Sequence, residues 1–99
     1  RETLWENARY FRSEMEERGF EIKPGDHPIV PIMFYDAKTS GAIADELLDR
    51  GIYVISFSYP VVPEGEARIR VQMSAAHSRD QLDRAIDAFT EVARQHDVI

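Results

Sequence analysis

Apolar residues recur at the spacing of a helix face in three stretches of the chain. In residues 1–19 the apolar positions lie three and four residues apart, and they are Leu4, Ala8, Phe11 and Met15. A second stripe, in residues 36–50, is made of Ile43, Ala44, Leu47 and Leu48. A third, in residues 78–96, is made of Leu82, Ala85, Ile86, Phe89, Val92 and Ala93. The pattern predicts three amphipathic helices, each with one buried face.

The ends of these stretches carry residues that commonly start or stop a helix. Gly19 follows the first stripe, and glycine readily adopts the left-handed conformation that ends a helix. Asp36 precedes the second stripe and can accept hydrogen bonds from the unpaired N–H groups of the first turn. Ser78 and Gln81 have the spacing of a capping box at the start of the third helix.

Alternation with a period of two predicts strands in residues 28–35, 52–59 and 67–73. Pro31 lacks a backbone N–H, which predicts that the first strand lies at an edge of the sheet. The second strand is apolar on both sides, which predicts that both of its faces are covered. In the third strand one side carries Ala67, Ile69, Val71 and Met73, and the other carries Arg68, Arg70 and Gln72.

These elements follow one another in the order α-β-α-β-β-α, and 99 residues suit a single domain, residues 1–99. The helix between the first two strands needs a right-handed crossover. The loop of residues 60–65 makes the last two strands antiparallel. Placing the third strand between the other two keeps Pro31 at an edge. The sequence therefore predicts the α+β class: a three-stranded, mainly antiparallel sheet with helices on one face.

Charge and composition exclude several classes of function. The net charge is −6 and no cluster of basic residues stands out, so we expect no nucleic-acid partner and no anionic membrane surface. No apolar run approaches the ~20 residues of a membrane span. The chain has no cysteine, and its three histidines do not have the spacing of metal ligands, so we expect no metal site. His77, beside the third helix, fits a local hydrogen-bonding role better than that of a base.

The remaining chemical signal is the pair Arg68 and Arg70, which follows a loop stiffened by Pro60 and Pro63. The simpler interpretation is two solvated arginines on an open face of the sheet. The alternative is that a guanidinium binds a carboxylate through two parallel hydrogen bonds, a geometry that lysine does not offer. The apolar residues of strand 52–59 favour the alternative, because they are unusual on a face exposed only to water.

Three strings together resemble the C-terminal domain of the α-oxoamine synthases, a group of fold-type I enzymes that depend on pyridoxal phosphate. They are "LWENARYFRSEMEERGF", "DRGIYVISFSYPVVPEGEARIRVQMSAAHS" and "IDAFTEVARQHDVI", and the resemblance covers essentially the whole chain. It implies that the chain is the small C-terminal domain of a longer protein, with helix 1–19 continuing from the large domain. The "YPVVP" loop resembles the branch that condenses glycine with acetyl-CoA, releasing CoA.

The resemblance also implies roles for individual residues. Arg70 is expected to bind the carboxylate of the amino-acid substrate. Lys23 and Lys38, the only lysines, do not match the family's Schiff-base position, so this piece is expected to hold no catalytic residue and to be inactive alone. Pyridoxal phosphate is expected in the missing large domain, and the full protein is expected to be a homodimer, cytoplasmic in bacteria or mitochondrial in eukaryotes.

Two other readings stay open. The first is a sister enzyme, such as an 8-amino-7-oxononanoate synthase, which uses alanine and a longer acyl-CoA. The second is a free-standing α+β domain that binds an amino acid or pairs with a partner through its open sheet face.

Overall fold

The computed structural model describes residues 2–25 and 27–99. In chain order the elements are α1 (Glu2–Glu17), β1 (Glu21–Ile22), β2 (Ile29–Tyr35), α2 (Ala37–Asp49), β3 (Ile55–Phe57), β4 (Ala67–Gln72) and α3 (Arg79–Gln95). The three predicted helices are confirmed. They have 16, 13 and 17 residues, and within this part of the chain none is long and apolar enough to cross a membrane.

The strands form one sheet in the order β1-β2-β4-β3, and every neighbouring pair is antiparallel. The α+β class and the central position of β4 are therefore confirmed. The strand count is corrected from three to four, because Glu21 and Ile22 pair with Met33 and Ile32. A strand of two residues is too short to show alternation, and the sequence there predicts only a turn.

The prediction that Pro31 lies in an edge strand is also wrong, because β2 lies between β1 and β4. Strand β2 is not an edge strand along its whole length, since β1 lies beside it at Ile32 and Met33. The N–H of Lys23, just after β1, donates to the carbonyl oxygen of Pro31 at 3.1 Å. In an antiparallel strand the nitrogen and carbonyl of one residue point to the same side. The missing donor of Pro31 therefore faces the side where β1 has already ended.

The core lies between the helices and one face of the sheet. Its fully buried side chains come from all three helices and the two central strands, and they include Phe11, Met15, Val30, Ile32, Ile43, Leu47, Ile69, Ile86, Phe89 and Val92. The rings of Phe11 and Phe89 meet edge to face, with centroids 6.3 Å apart. The predicted stripes are confirmed except at Leu48, which is 49% exposed because the helix turns it away from the sheet.

Both predicted helix caps of α2 and α3 are present. The carboxylate of Asp36 accepts from the hydroxyl and the N–H of Thr39, and these hydrogen bonds hold the pKa of Asp36 below its usual value. Ser78 and Gln81 form the complete capping box: each side chain is bonded to the backbone N–H of the other.

A buried arginine holds the loop between β1 and β2. The side chain of Arg12 is in α1, and its residue is 9% exposed. Its guanidinium donates to the carbonyl oxygens of Lys23, His27 and Ile29 at 2.8, 3.4 and 3.3 Å. The path of the loop is thus fixed by hydrogen bonds from one side chain to three backbone groups.

Candidate functional site

The register of the sheet places the two arginines of β4 on the face opposite the helices. Arg68 lies directly between Met33 of β2 and Phe57 of β3. Ile69, the residue between the arginines, is fully buried in the core. The predicted division of β4 into a core side and an open side is therefore confirmed. On the open side the directly opposite residues of β2, β4 and β3 form two rows: Met33, Arg68 and Phe57 in one, and Pro31, Arg70 and Ile55 in the next.

Arg68 is compensated within the domain. It is only 7% exposed, and its Nε donates to the carbonyl oxygen of Glu66 at 3.1 Å. Its Nη2 also donates to Glu66 Oε1 at 3.1 Å, as an ion pair. A buried charge is costly unless it is paired and hydrogen-bonded, and Glu66 meets both needs. Arg68 is therefore a structural residue of the sheet and is not available to a ligand.

Arg70 has the opposite surroundings. It is exposed, and its row neighbours on β2 and β3 are the apolar side chains of Pro31 and Ile55. Its guanidinium carbon lies 4.2 Å from the centroid of the Phe57 ring. Within residues 2–25 and 27–99 no carboxylate pairs with Arg70 and no acceptor takes its N–H groups. The arrangement suits a carboxylate that comes from outside the domain.

A groove of about 570 Å³ opens beside this guanidinium. Its polar lining includes Arg70, Gln72, His77, Gln81 and Arg84. Its apolar lining includes Ile55, Phe57, Val71, Met73, Leu82 and Ala85. A small molecule in this groove would meet the cationic groups of Arg70 and Arg84 together with apolar side chains.

The loop before β4 runs from the end of β3 to Glu66, the residue that pairs with Arg68. The N–H groups of Val61 and Val62 donate to the carbonyl oxygen of Ser58 at 2.9 and 3.2 Å. Near its end, the N–H of Glu66 donates to the carbonyl oxygen of Pro63 at 3.1 Å. The Tyr59–Pro60 peptide bond is cis. The two hydrogen-bonded turns place Glu66 next to Arg68.

The predicted cover over residues 52–59 is wrong. Strand β3 is the last strand of the sheet, so β4 is its one neighbour. It has only three residues, because the residues on either side of it do not continue the strand. The exposed apolar side chains of this region are Tyr53 at 87%, Ile55 at 64%, Tyr59 at 66% and Val61 at 70%. Four large exposed apolar side chains within nine residues make this region a candidate contact surface.

The turn that follows β4 is fixed by two polar side chains. The N–H of Ser74 donates to Nδ1 of His77 at 3.1 Å, which confirms the local role predicted for this histidine. Asn7 of α1 is 7% exposed, and its Nδ2 donates to the carbonyl oxygens of Ser74 and His77 at 2.9 and 3.1 Å. Sequence reasoning missed Asn7. The sequence does mark Asn7 as unusual, because it is a polar residue within the apolar stripe of the first helix, three positions after Leu4.

The other candidate residues are not brought together. His27 Nδ1 accepts from the N–H of Ile29 at 3.1 Å, and His96 pairs with Glu46. Among the described residues, no three acidic or histidine side chains gather as a metal-binding group. Lys23 follows β1 and Lys38 lies in the first turn of α2, and neither lines the groove. The described site is therefore Arg70 on the open face of the sheet, beside a groove that Arg84 of α3 also lines.

Comparison with known proteins gives a family and a set of relatives. The family described as aminotransferase class I and II matches residues 1–89. The 2-amino-3-ketobutyrate coenzyme A ligase of Salmonella typhimurium is 52% identical over 99 residues, which are 100% of this chain and 25% of that protein. The mitochondrial 2-amino-3-ketobutyrate coenzyme A ligase of Mus musculus is 56% identical over 90% of this chain and 21% of its own length.

Among solved structures, a serine palmitoyltransferase from S. paucimobilis with a bound PLP–myriocin aldimine superposes with a TM-score of 0.93 at 30% identity. The match covers 100% of this chain and 25% of that one. This chain thus spans about a quarter of the length of the relatives that it matches.

Proposed function

The chain belongs to the aminotransferase class I and II family, and on that premise we propose that it is the small C-terminal domain of an acyltransferase that depends on pyridoxal phosphate. The proposed reaction condenses glycine with acetyl-CoA to give 2-amino-3-oxobutanoate and CoA, and its reverse serves threonine breakdown. Identity of 52% across all 99 residues with the ligase of Salmonella typhimurium supports this choice.

The observation that carries the proposal at the level of the site is the state of Arg70. Its guanidinium is exposed beside the groove and has no acceptor among the described residues. An amino acid such as glycine always brings a carboxylate, and a guanidinium can bind both of its oxygens at once. In the proposed enzyme Arg70 binds that carboxylate, in the ground state and in the transition state alike.

The side chains of this domain fit the substrate's carboxylate better than the cofactor. Pyridoxal phosphate forms a Schiff base with a lysine, and neither Lys23 nor Lys38 lines the groove. When bound, the cofactor supplies an electron sink for the negative charge left on the α-carbon. We place it in the remainder of the longer protein, and we assign no catalytic residue to this domain.

We further propose that the exposed apolar side chains of Tyr53, Ile55, Tyr59 and Val61 contact the large domain of the same protein. The full protein is proposed to be a homodimer, cytoplasmic in a bacterium and mitochondrial in a eukaryote; the mitochondrial name of the mouse relative supports the latter. Sedimentation of the full natural protein tests the dimer, and a monomeric mass would contradict it.

The first experiment is the visible absorbance of the full natural protein before and after glycine is added. We expect a yellow protein whose absorbance band shifts with glycine, because the substrate joins the cofactor. A colourless protein would contradict the proposal and favour a binding domain. In the same preparation, turnover of alanine with longer acyl-CoA in preference to glycine with acetyl-CoA would instead indicate the sister synthase.

The second experiment tests Arg70 directly with Arg70→Lys in the full protein. A lysine keeps the charge but loses the two-point geometry, so we expect the KM for glycine to rise at least about tenfold. The KM for acetyl-CoA should change little. Arg68→Lys, the same chemical change two residues away, is the matched control and should leave the glycine KM unaltered. Equal glycine KM values in all three proteins would remove Arg70 from the substrate site.

A further inference from the structure

We propose that Phe57 is a positioning residue for the carboxylate site: its ring fixes the plane of the Arg70 guanidinium. The inference rests on the proposed role of Arg70 and deepens it. It assigns a part of substrate binding to an apolar residue of a neighbouring strand, which has no hydrogen-bonding group of its own to offer the substrate.

The geometry of the contact carries the inference. The guanidinium carbon of Arg70 lies 4.2 Å from the centroid of the Phe57 ring, within the range of a cation–π contact. A stacked guanidinium uses its face for the ring, while all five N–H groups lie in its plane and point outward. Stacking therefore leaves the donors free and, at the same time, limits the directions in which they can point.

The surroundings offer the guanidinium nothing else that would fix it. The residues directly opposite Arg70 are Pro31 on β2 and Ile55 on β3, and neither side chain has an acceptor. Arg68, by comparison, is held by two hydrogen bonds that its guanidinium donates to oxygens of Glu66. Within the described part of the chain, the ring of Phe57 is thus the group that orients the donors of Arg70.

The ring itself is held from the other face of the sheet. Phe57 is half-buried and ends β3. The residue before it, Ser56, points toward α2, where its hydroxyl is 2.8 Å from that of the fully buried Ser40. The hydroxyl pair fixes β3 against the helix. A continuous set of contacts therefore leads from the core, through Ser40 and Ser56, to the ring that supports Arg70.

Losing the ring should affect substrate binding and leave the chemical step alone. The carboxylate of glycine is bound in the ground state and in the transition state alike, so weaker orientation raises KM and changes kcat little. Loss of an exposed cation–π contact corresponds to an increase of about two- to fivefold in the KM for glycine. A general loosening of the edge strand would instead lower the melting temperature and raise the KM for both substrates.

The test compares Phe57→Leu with Phe57→Tyr in the full natural protein, with Leu48→Ile, at an exposed apolar residue of α2 that does not line the groove, as the control. We expect Phe57→Leu to raise the glycine KM about two- to fivefold with kcat and the acetyl-CoA KM unchanged. Phe57→Tyr keeps an aromatic face and should restore the natural value. Thermal unfolding confirms that all three proteins are folded.

A double substitution separates positioning from structure. If Phe57 acts through the guanidinium, Phe57→Leu should have no further effect on kcat/KM for glycine in an Arg70→Gln protein. A glycine KM unaffected by Phe57→Leu, or an effect that persists in the Arg70→Gln background, would overturn the inference. If Arg70→Gln alone leaves the glycine KM unchanged, the proposed role of Arg70 fails and the inference fails with it. A large effect of Arg70→Gln with none of Phe57→Leu refutes the inference alone.

Discussion

Arg68 and Arg70 lie two residues apart, on the same strand and the same face, yet their surroundings have little in common. Arg68 is 7% exposed and paired with Glu66 through two hydrogen bonds. Arg70 is exposed, its guanidinium carbon lies over the ring of Phe57, and among the described residues it has no acceptor. Identical side chains in identical backbone positions thus have different roles, and the neighbouring elements decide which role each has.

The difference follows from the cost of holding a charge away from water. A guanidinium that the loop and the sheet bury must be neutralised and hydrogen-bonded, and Glu66 supplies both from two positions earlier in the chain. A guanidinium at the groove remains hydrated and needs no partner in the domain. Within the described residues the open face therefore presents one available guanidinium instead of two.

The largest expected effect comes from removing the compensation of Arg68. Glu66→Gln leaves its guanidinium buried without a carboxylate, while the backbone hydrogen bond remains. Since the Glu66 side chain is 44% exposed, we expect a loss of about 1–2 kcal/mol in the free energy of unfolding. Urea unfolding of the full protein measures it. Glu64→Gln, an exposed neighbour, is the control, and equal stability of the two variants would contradict the comparison.

The second prediction gives Arg70 a carboxylate of its own. Ile55 lies directly opposite Arg70, so Ile55→Glu places an acceptor within reach of the guanidinium. The new ion pair competes with the substrate, and we expect the glycine KM to rise about two- to fivefold. Ile55→Gln has the same size without the charge and should have a smaller effect. Equal KM values for the two variants would mean that Arg70 does not face this row.

The smallest expected effect is that of salt on the two arginines. Raising the ionic strength from about 0.05 to about 0.5 M shortens the screening length several-fold, so the attraction of an exposed guanidinium for a carboxylate weakens. We expect the glycine KM to rise by up to about twofold, and the stability difference between Glu66→Gln and the natural protein to change little. An Arg70→Gln protein should show no salt effect on its glycine KM, and a similar rise there would rule out Arg70 as its source.

The parts of the fold that sequence predicts well are those with a long, regular pattern. The stripe of α3, its capping box and the alternation of β4 each repeat a signal over many residues, and all are confirmed. Strand β1 and the length of β3 were missed. A two-residue strand is too short to show a period. The end of β3 depends on where its backbone stops pairing with β4, and the local apolar character of the sequence does not indicate that position.

The candidate site was predicted less completely. Alternation places Arg68 and Arg70 together on the open face, but it gives no reason to separate them. The carboxylate role of Arg70 came from the family resemblance and stays a prediction. The burial of Arg68 depends on Glu66, and the stacking of Arg70 depends on Phe57, and both contacts arise from the loop path and the strand register. The alternation of apolar and polar residues records neither contact.

The hold of Arg12 on the loop before β2 has a consequence for how this sequence can diverge. Arg12 binds the loop only through the carbonyl oxygens of Lys23, His27 and Ile29, and every amino acid has a carbonyl. Substitutions in the loop can therefore accumulate without disturbing these bonds, except at Gly25, whose φ of 133° favours glycine. An insertion or deletion would move all three acceptors at once. Over evolutionary time the loop should vary in composition and keep its length, for as long as position 12 remains arginine.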